Sequence, residues 1–152
     1  MIAEKKDIQQ LIELRFAYIG DDMGEITQEQ ENLIRAQLPD YYERHLGNDL
    51  IAFIAKDGER IISTVQLLLM EKPANPHFIH GHSGAFLNVY TMPEYRRKGI
   101  ARRLVKNVLE YAEEHELDSI ELNATEAGYP LYIKMGFEHL DPGHTHLRYI
   151  FN

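Results

Sequence analysis

The chain has 152 residues, no cysteine and a formal net charge of −8. Such a length suits one domain over 1–152, and the missing cysteine excludes a disulfide framework, thiolate zinc sites, iron–sulfur ligation and a cysteine nucleophile. Hydrophobic residues at 44% and charged residues at 26% exclude a disordered or fibrous chain. The longest apolar run, Ile61–Met70, is too short to span a bilayer, so the expectation is a cytoplasmic protein that binds no membrane.

Along the chain, Asp7–Gly20 has apolar residues at three- and four-residue spacing, which predicts an amphipathic helix stopped by Gly20-Asp21-Asp22. Thr27 followed by Gln30 has capping-box form and opens a second helix to about Leu46, with a kink expected at Pro39. Ile51–Ala55 and Ile61–Glu71 read as strands joined by a tight turn at Asp57-Gly58. Pro73–Gly84 reads as a loop, and Ala85–Met92, rich in Phe, Val, Tyr and Thr, as a strand ended by Pro93.

From Arg97 to Glu116, Ile100, Leu104, Val105, Val108, Leu109 and Ala112 form one helical stripe. Ser119–Ala124 alternates like a half-exposed strand, Glu126–Met135 reads as a short helix closed by Gly136, and Phe137–Leu140 with Leu147–Phe151 as a terminal strand pair. The order predicts a mixed α/β fold without internal repeats.

Charge is unevenly distributed. Met92–Lys106 carries +5, through Arg96, Arg97, Lys98, Arg102, Arg103 and Lys106 against Glu94, which leaves −13 on the rest. A basic island on an acidic chain points to one anionic ligand at one place, against the plain alternative of a solvated helix face. A strand, a proline stop, a basic cluster and Gly99 at the start of a long helix make a phosphate site. Free N–H groups point out of a helix N-terminus, and a glycine there lets the anion reach the backbone. Neither the nucleoside-triphosphate loop nor the dinucleotide glycine pattern is present.

Arg96-x-x-Gly99-x-Ala101 resembles the pyrophosphate loop [RQ]-x-x-G-x-[GA] of the GNAT superfamily of acetyl-CoA-dependent N-acetyltransferases, and Leu131-Tyr-x-x-x-Gly-Phe137 resembles that family's second motif. The resemblance covers Gly84–Phe137 closely and the N-terminal third by element order only. It implies a mixed sheet with splayed central strands, flanked by helices on both faces. The strand that opens the family's domain has only Met1–Lys6 available, so it is short or missing.

The resemblance also implies a site. Backbone groups of Val89, Tyr90 and Thr91 would hold the pantetheine arm and the thioester carbonyl, while Arg96, Arg97, Lys98, Gly99, Ile100, Ala101 and Arg102 would cradle the pyrophosphate. Where many members carry an Asn that contacts the cofactor, this chain has Thr125. A neutral primary amine attacks the thioester directly, with no enzyme nucleophile, and Tyr132 protonates the departing thiolate. A phenol near pKa ~10 serves a thiolate of pKa ~8.5 only when held close. The alternative for Tyr132 is a ring packed in the core.

For the acceptor, Asn88, Tyr90, Glu94 or a water chain stand as orienting or basic groups, and Tyr41 and Tyr42 on the second helix as lining, against ordinary amphipathic packing. The acceptor itself is a small-molecule amine or an amine of a protein or peptide, and a homodimer is frequent in the family. His77, His80 and His82, with His144 and His146, invite a metal reading, but no matched carboxylate or cysteine is spaced with them, so no metal is expected. A non-catalytic acyl-CoA-binding regulatory module on the same fold is the rival function. Nucleic-acid binding through Arg96–Lys106 is disfavoured by the net charge and the lack of interleaved aromatics.

Overall fold

The computed structural model describes residues 1–151. A four-stranded sheet, in the order β1 (Leu50–Asp57), β2 (Arg60–Glu71), β3 (His82–Thr91) and β4 (Ser119–Glu121), carries helices on both faces. β1–β2 and β2–β3 are antiparallel, and β3–β4 is parallel through a crossover that contains α3 (Ile100–Glu114). On one face α1 (Ile8–Met23) and α2 (Gln28–His45) bury Leu11, Ile12, Leu14 and Tyr42 against Leu50, Ala52, Ile54 and Tyr90. On the other, Leu104, Val105 and Val108 of α3 and Tyr132 of α4 (Tyr129–Lys134) pack on Phe53, Val65 and Leu67. Among the described residues no helix is long and apolar enough to cross a membrane.

The predicted elements form with shifted ends. α1 does not stop at Gly20 but runs to Met23, because an exposed glycine costs a helix only about 1 kcal/mol; Gly24, at φ +81°, supplies the exit. Thr27 caps α2 by accepting from the Gln30 N–H at 3.1 Å, and α2 continues through exposed Pro39. The opening strand is short: Ala3 N–H donates to Ala52 and Ile54 N–H to Met1, which attaches Met1–Ala3 to β1. β3 begins at His82, so the preceding loop is shorter than Pro73–Gly84.

Two differences matter for function. β3 and β4 pair only from Ser83↔Ser119 to Ala85↔Glu121, which makes β4 shorter than Ser119–Ala124. The β2–β3 register slips between Gln66 and Leu67, so Leu87 is an extra residue in β3, a bulge that bends the strand away from its neighbour. Phe137–Leu140 and Leu147–Phe151 do not pair. Asp141 forms its local turn, accepting from the Gly143 N–H at 2.8 Å, but Leu147, Tyr149 and Phe151 are exposed. Two strands that bury no face are marginal in water, and β4 is therefore the sheet edge among the described residues.

Candidate active site

Pro93–Tyr95 form a single 3-10 turn after β3, and the chain then reverses through Arg97 (φ +63°) and Gly99 (φ +75°) into α3. Left-handed backbone at Arg97 is strained for a residue with a Cβ, and such strain persists only where its surroundings hold it. The N–H groups of residues 97–102 donate to no protein acceptor among the described residues; the first helical bond runs from Arg103 N–H to the Gly99 carbonyl at 3.1 Å. No atom lies within 4 Å of where a Cβ at Gly99 would stand. Free donors around open space at the positive end of a helix have the chemistry that suits an anion.

Beside this loop, the divergence of β3 and β4 opens a cavity of about 520 Å³, lined by Val89, Tyr90 and Thr91 on one wall and Thr125, Gly128 and Tyr132 on the other. Arg96 and Ala101 border it from the anion loop, and Tyr18, Asp21 and Asp22 from the end of α1. Deeper between the strands is a slot of about 40 Å³ lined by Tyr18, Asn88, Asn123, Thr125 and Tyr132.

Tyr132 borders both spaces. Its ring packs edge-on against Phe137, with centroids 5.6 Å apart, and beside Phe86 at 6.4 Å. Burial, with a smaller contribution from Tyr18, pushes its phenol up to about 12, so it is fully protonated at neutral pH. The hydroxyl donates to no protein acceptor among the described residues. Core packing and a cleft-facing proton are thus properties of the same side chain.

A model of the acetyltransferase (GNAT) family matches residues 17–137. The chain belongs to this family. No curated protein matches it in sequence. Among solved structures it is similar to a predicted acetyltransferase from Clostridium acetobutylicum, crystallised with acetyl-CoA, at 29% identity over 97% of this chain and 94% of that one, with a TM-score of 0.85. A GCN5-related N-acetyltransferase from Ralstonia eutropha JMP134 shares 21% identity over 99% and 96% of the two chains, with a TM-score of 0.82. A ribosomal-protein-alanine N-acetyltransferase from Brucella melitensis biovar Abortus 2308 shares 19% over 98% of each, with a TM-score of 0.68; these last two are likenesses of fold.

Within this GNAT domain the residues singled out from sequence fall into three groups. Val89, Tyr90, Thr91, Arg96, Ala101, Thr125 and Tyr132 share the large cavity. Arg97, Lys98, Gly99 and Arg102 are exposed and do not line it, and Ile100 is buried at the start of α3. Arg96 is already engaged: it donates to Thr91 O at 2.8 Å, reaches Asp21 Oδ2 at 2.6 Å and lies over the Tyr90 ring. Thr125 opens the turn into α4, accepting from Gly128 N–H through Oγ1 at 3.1 Å and from Tyr129 N–H through its carbonyl at 2.9 Å.

The acceptor-side residues separate. Asn88 lines the slot and is 1% exposed. Tyr42 is a core residue, its hydroxyl donating to Gln66 Oε1 at 3.0 Å. Tyr41 is half-buried against the His45 ring, and Glu94 pairs with Arg60 at 3.3 Å. His80 and His144 are bonded to Asp118 and Asp141.

Sequence reasoning missed the end of α1. Tyr18, Asp21 and Asp22 line the cleft, whereas Arg15 ties α1 to the bulge in β3: its Nη1 donates to Leu87 O at 3.1 Å and to Asn88 Oδ1 at 3.3 Å. Tyr18 OH donates to Asp22 at 3.3 Å. The available signal was polar residues on a helix beyond its apolar stripe, which a solvent-facing surface also shows.

Proposed function

We propose that this protein transfers an acetyl group from acetyl-CoA to a primary amine. The observation that carries the reading is the junction of the donor-rich loop at Gly99 with the β3–β4 cleft and the Tyr132 phenol on its wall. The unpaired N–H groups of residues 97–102, with Arg97, Lys98 and Arg102 around them, suit a pyrophosphate. The strand edges that part beyond Ala85 and Glu121 suit an extended arm whose amides continue the ladder, with the backbone of Val89, Tyr90 and Thr91 alongside. Thr125 borders the same arm. Acetyl-CoA, when bound, supplies the thioester whose C–S bond breaks as the amine forms its N–C bond.

The chain's own part is to orient and to move protons. With acetyl-CoA bound, a main-chain N–H near Val89 would stabilise the charge that develops on the thioester oxygen. Tyr132 would give its proton to the sulfur as the C–S bond breaks. A phenol held at about 12 is a weaker acid than the thiol it would form, so this transfer depends on the site holding the two atoms close, and burial would also make the thiolate more basic. The amine sheds its proton to water or to a group near Asn88.

Acceptors in this reading are small-molecule, peptide or protein amines, in a cytoplasmic protein forming a homodimer. The exposed apolar side chains of Leu147, Tyr149, Ile150 and Phe151 support self-association; light scattering at twice 17.7 kDa tests it. The first experiment is calorimetric titration with acetyl-CoA, followed by thiol release with an amine panel. One-to-one micromolar binding with turnover supports the transferase. Tight binding with no turnover on any amine favours a regulatory acyl-CoA-binding module, and no binding by folded protein overturns both.

A further inference from the structure

The mouth of the cleft carries more negative charge than the protein itself matches. Asp21 and Asp22, in the last turn of α1, both line the cavity of about 520 Å³ and are exposed, so a solute in that cavity can reach them. Among the described residues Arg96 is the one cationic side chain in the lining, and it is committed to Asp21 at 2.6 Å and to the Tyr90 ring at 5.3 Å. Asp22 has no Lys, Arg or His beside it among the described residues. Its partner is the Tyr18 hydroxyl, at 3.3 Å. Burial, and after it Asp22, push the Tyr18 phenol up, so Tyr18 keeps the proton that it donates.

Helix electrostatics oppose this placement. The carbonyl end of a helix is its negative end, where lysine or arginine is stabilising and a carboxylate is not, yet the last turn of α1 holds no basic residue. A second feature of the same cavity is independent of the carboxylates. Tyr132 lines it, is 7% exposed, and has a hydroxyl that meets no protein acceptor among the described residues. A buried, unpartnered phenol and an unmatched carboxylate thus border one space, with the Tyr18 and Tyr90 rings in its lining.

We propose that Asp22, supported by Tyr18, binds a second cationic group on the acceptor, so that the protein acetylates small diamines in preference to monoamines. This rests on the transferase reading above and names its substrate class. An ammonium has three donors and no acceptor, which suits a carboxylate oxygen, and aromatic faces attract cations as well. Arg96 already shows that chemistry in this cavity, as a cation held by the Asp21 carboxylate and the Tyr90 ring. The charge of −13 outside Met92–Lys106 adds a field that draws in a dication. Tyr132 and Asp22 belong to different walls of the cavity, from α4 and α1, so one end of a short diamine can meet the carboxylate while the other reacts.

The test compares acceptors that share a reacting amine and differ at the far end: diaminobutane, butylamine and aminobutanol, with their shorter and longer homologues, at equal concentrations of free amine. Wild-type protein should favour the best diamine over its monoamine by at least about 10-fold in kcat/KM. In Asp22→Asn that ratio should fall toward 1, and in Tyr18→Phe it should fall in part. Glu113→Gln removes an exposed carboxylate that does not line the cavity and should leave the ratio as it is. A purely structural Asp22 would lower both members of each pair together. A wild-type ratio near 1, an unchanged ratio in Asp22→Asn, an equal fall in Glu113→Gln, or an inert panel on protein that binds acetyl-CoA overturns the subsite. Absence of acetyl-CoA binding by folded wild-type protein overturns the transferase reading instead.

Discussion

Arg96 and Asp21 are joined at 2.6 Å across the mouth of the cleft, so the arginine that opens the anion loop is held by a carboxylate at the end of α1. Both side chains are half exposed, and such a pair contributes less than about 1 kcal/mol to stability. Its larger effect is on charge at the mouth of the cavity. Asp21→Asn should leave the melting temperature nearly unchanged and tighten acetyl-CoA binding about 2- to 10-fold at low salt. Calorimetry at 0.05 M and 1 M salt checks this, because the gain should vanish where the Debye length is about 3 Å. Unchanged affinity at low salt would show that Arg96 does not serve the anion.

Tyr132→Phe keeps the ring that packs on Phe86 and Phe137 and removes the proton. Turnover should fall about 10²-fold or more, with acetyl-CoA affinity within twofold of wild type. In the wild-type protein kcat/KM should climb with pH as the amine is freed. It should show no descending limb from Tyr132 below about pH 10, because the phenol is held up at about 12. A descending limb near pH 8 that disappears in the variant would contradict this assignment.

The same phenol links stability to alkaline pH. Its folded pKa lies above the ordinary value of 10.0, so between about pH 10 and 12 the unfolded chain releases a proton that the folded one keeps. Stability from this group is fully present below pH 10 and is lost as pH rises through that window, by roughly 2–3 kcal/mol. Urea denaturation of wild type and Tyr132→Phe at pH 9 and pH 11 checks it; wild type should lose about 1 kcal/mol or more relative to the variant between the two.

Asp7 is nearly buried and receives the Glu4 N–H at 2.9 Å and the Lys56 ammonium at 2.9 Å. Burial acts to raise its carboxyl, but those two partners outweigh it and hold the carboxyl below 3.8. Its contribution is therefore present above pH 3.8 and lost as pH falls through the lower folded value. Asp7→Asn leaves Lys56 without its counter-charge and should cost about 3 kcal/mol at pH 7. Adding Lys56→Met should restore part of that loss in urea denaturation; a further loss would mean that the pair is not the cause.

Gly81 closes the loop between β2 and β3 at φ +73°, and a Cβ there would stand 2.3 Å from the Lys72 carbonyl oxygen. Gly81→Ala combines a left-handed strain with a backbone clash, so it should cost about 2 kcal/mol or more. In a chain of this size that lowers the melting temperature by about 4–8 °C. Gly47→Ala, also at positive φ but with open space around it, should cost less, and the difference between the two isolates the clash.

By itself the sequence determined the local features. The capping box at Thr27, the Asp57-Gly58 hairpin, the apolar stripe of α3 and the glycine at its start were all legible, because each is written in neighbours a few residues apart. The two short patterns that contain Gly99 and Tyr132 are local in the same way, and the fold brings Arg96 and Ala101 of one and Tyr132 of the other to one cavity.

Only the tertiary structure decided what depends on contacts between distant segments. The bulge at Leu87 is defined by the partner strand, and the pairing of β3 with β4 ends just before it, at Ala85. Tyr42 and Asn88 look alike as polar-tipped residues in half-apolar runs, yet one is sealed in the core on Gln66 and the other lines the slot beside Arg15. The alternation in Leu147–Phe151 predicts a strand, but a strand forms only where an edge and an apolar face receive it. Propensity acts along the chain, whereas burial, pairing and the matching of charges are settled by which segments meet.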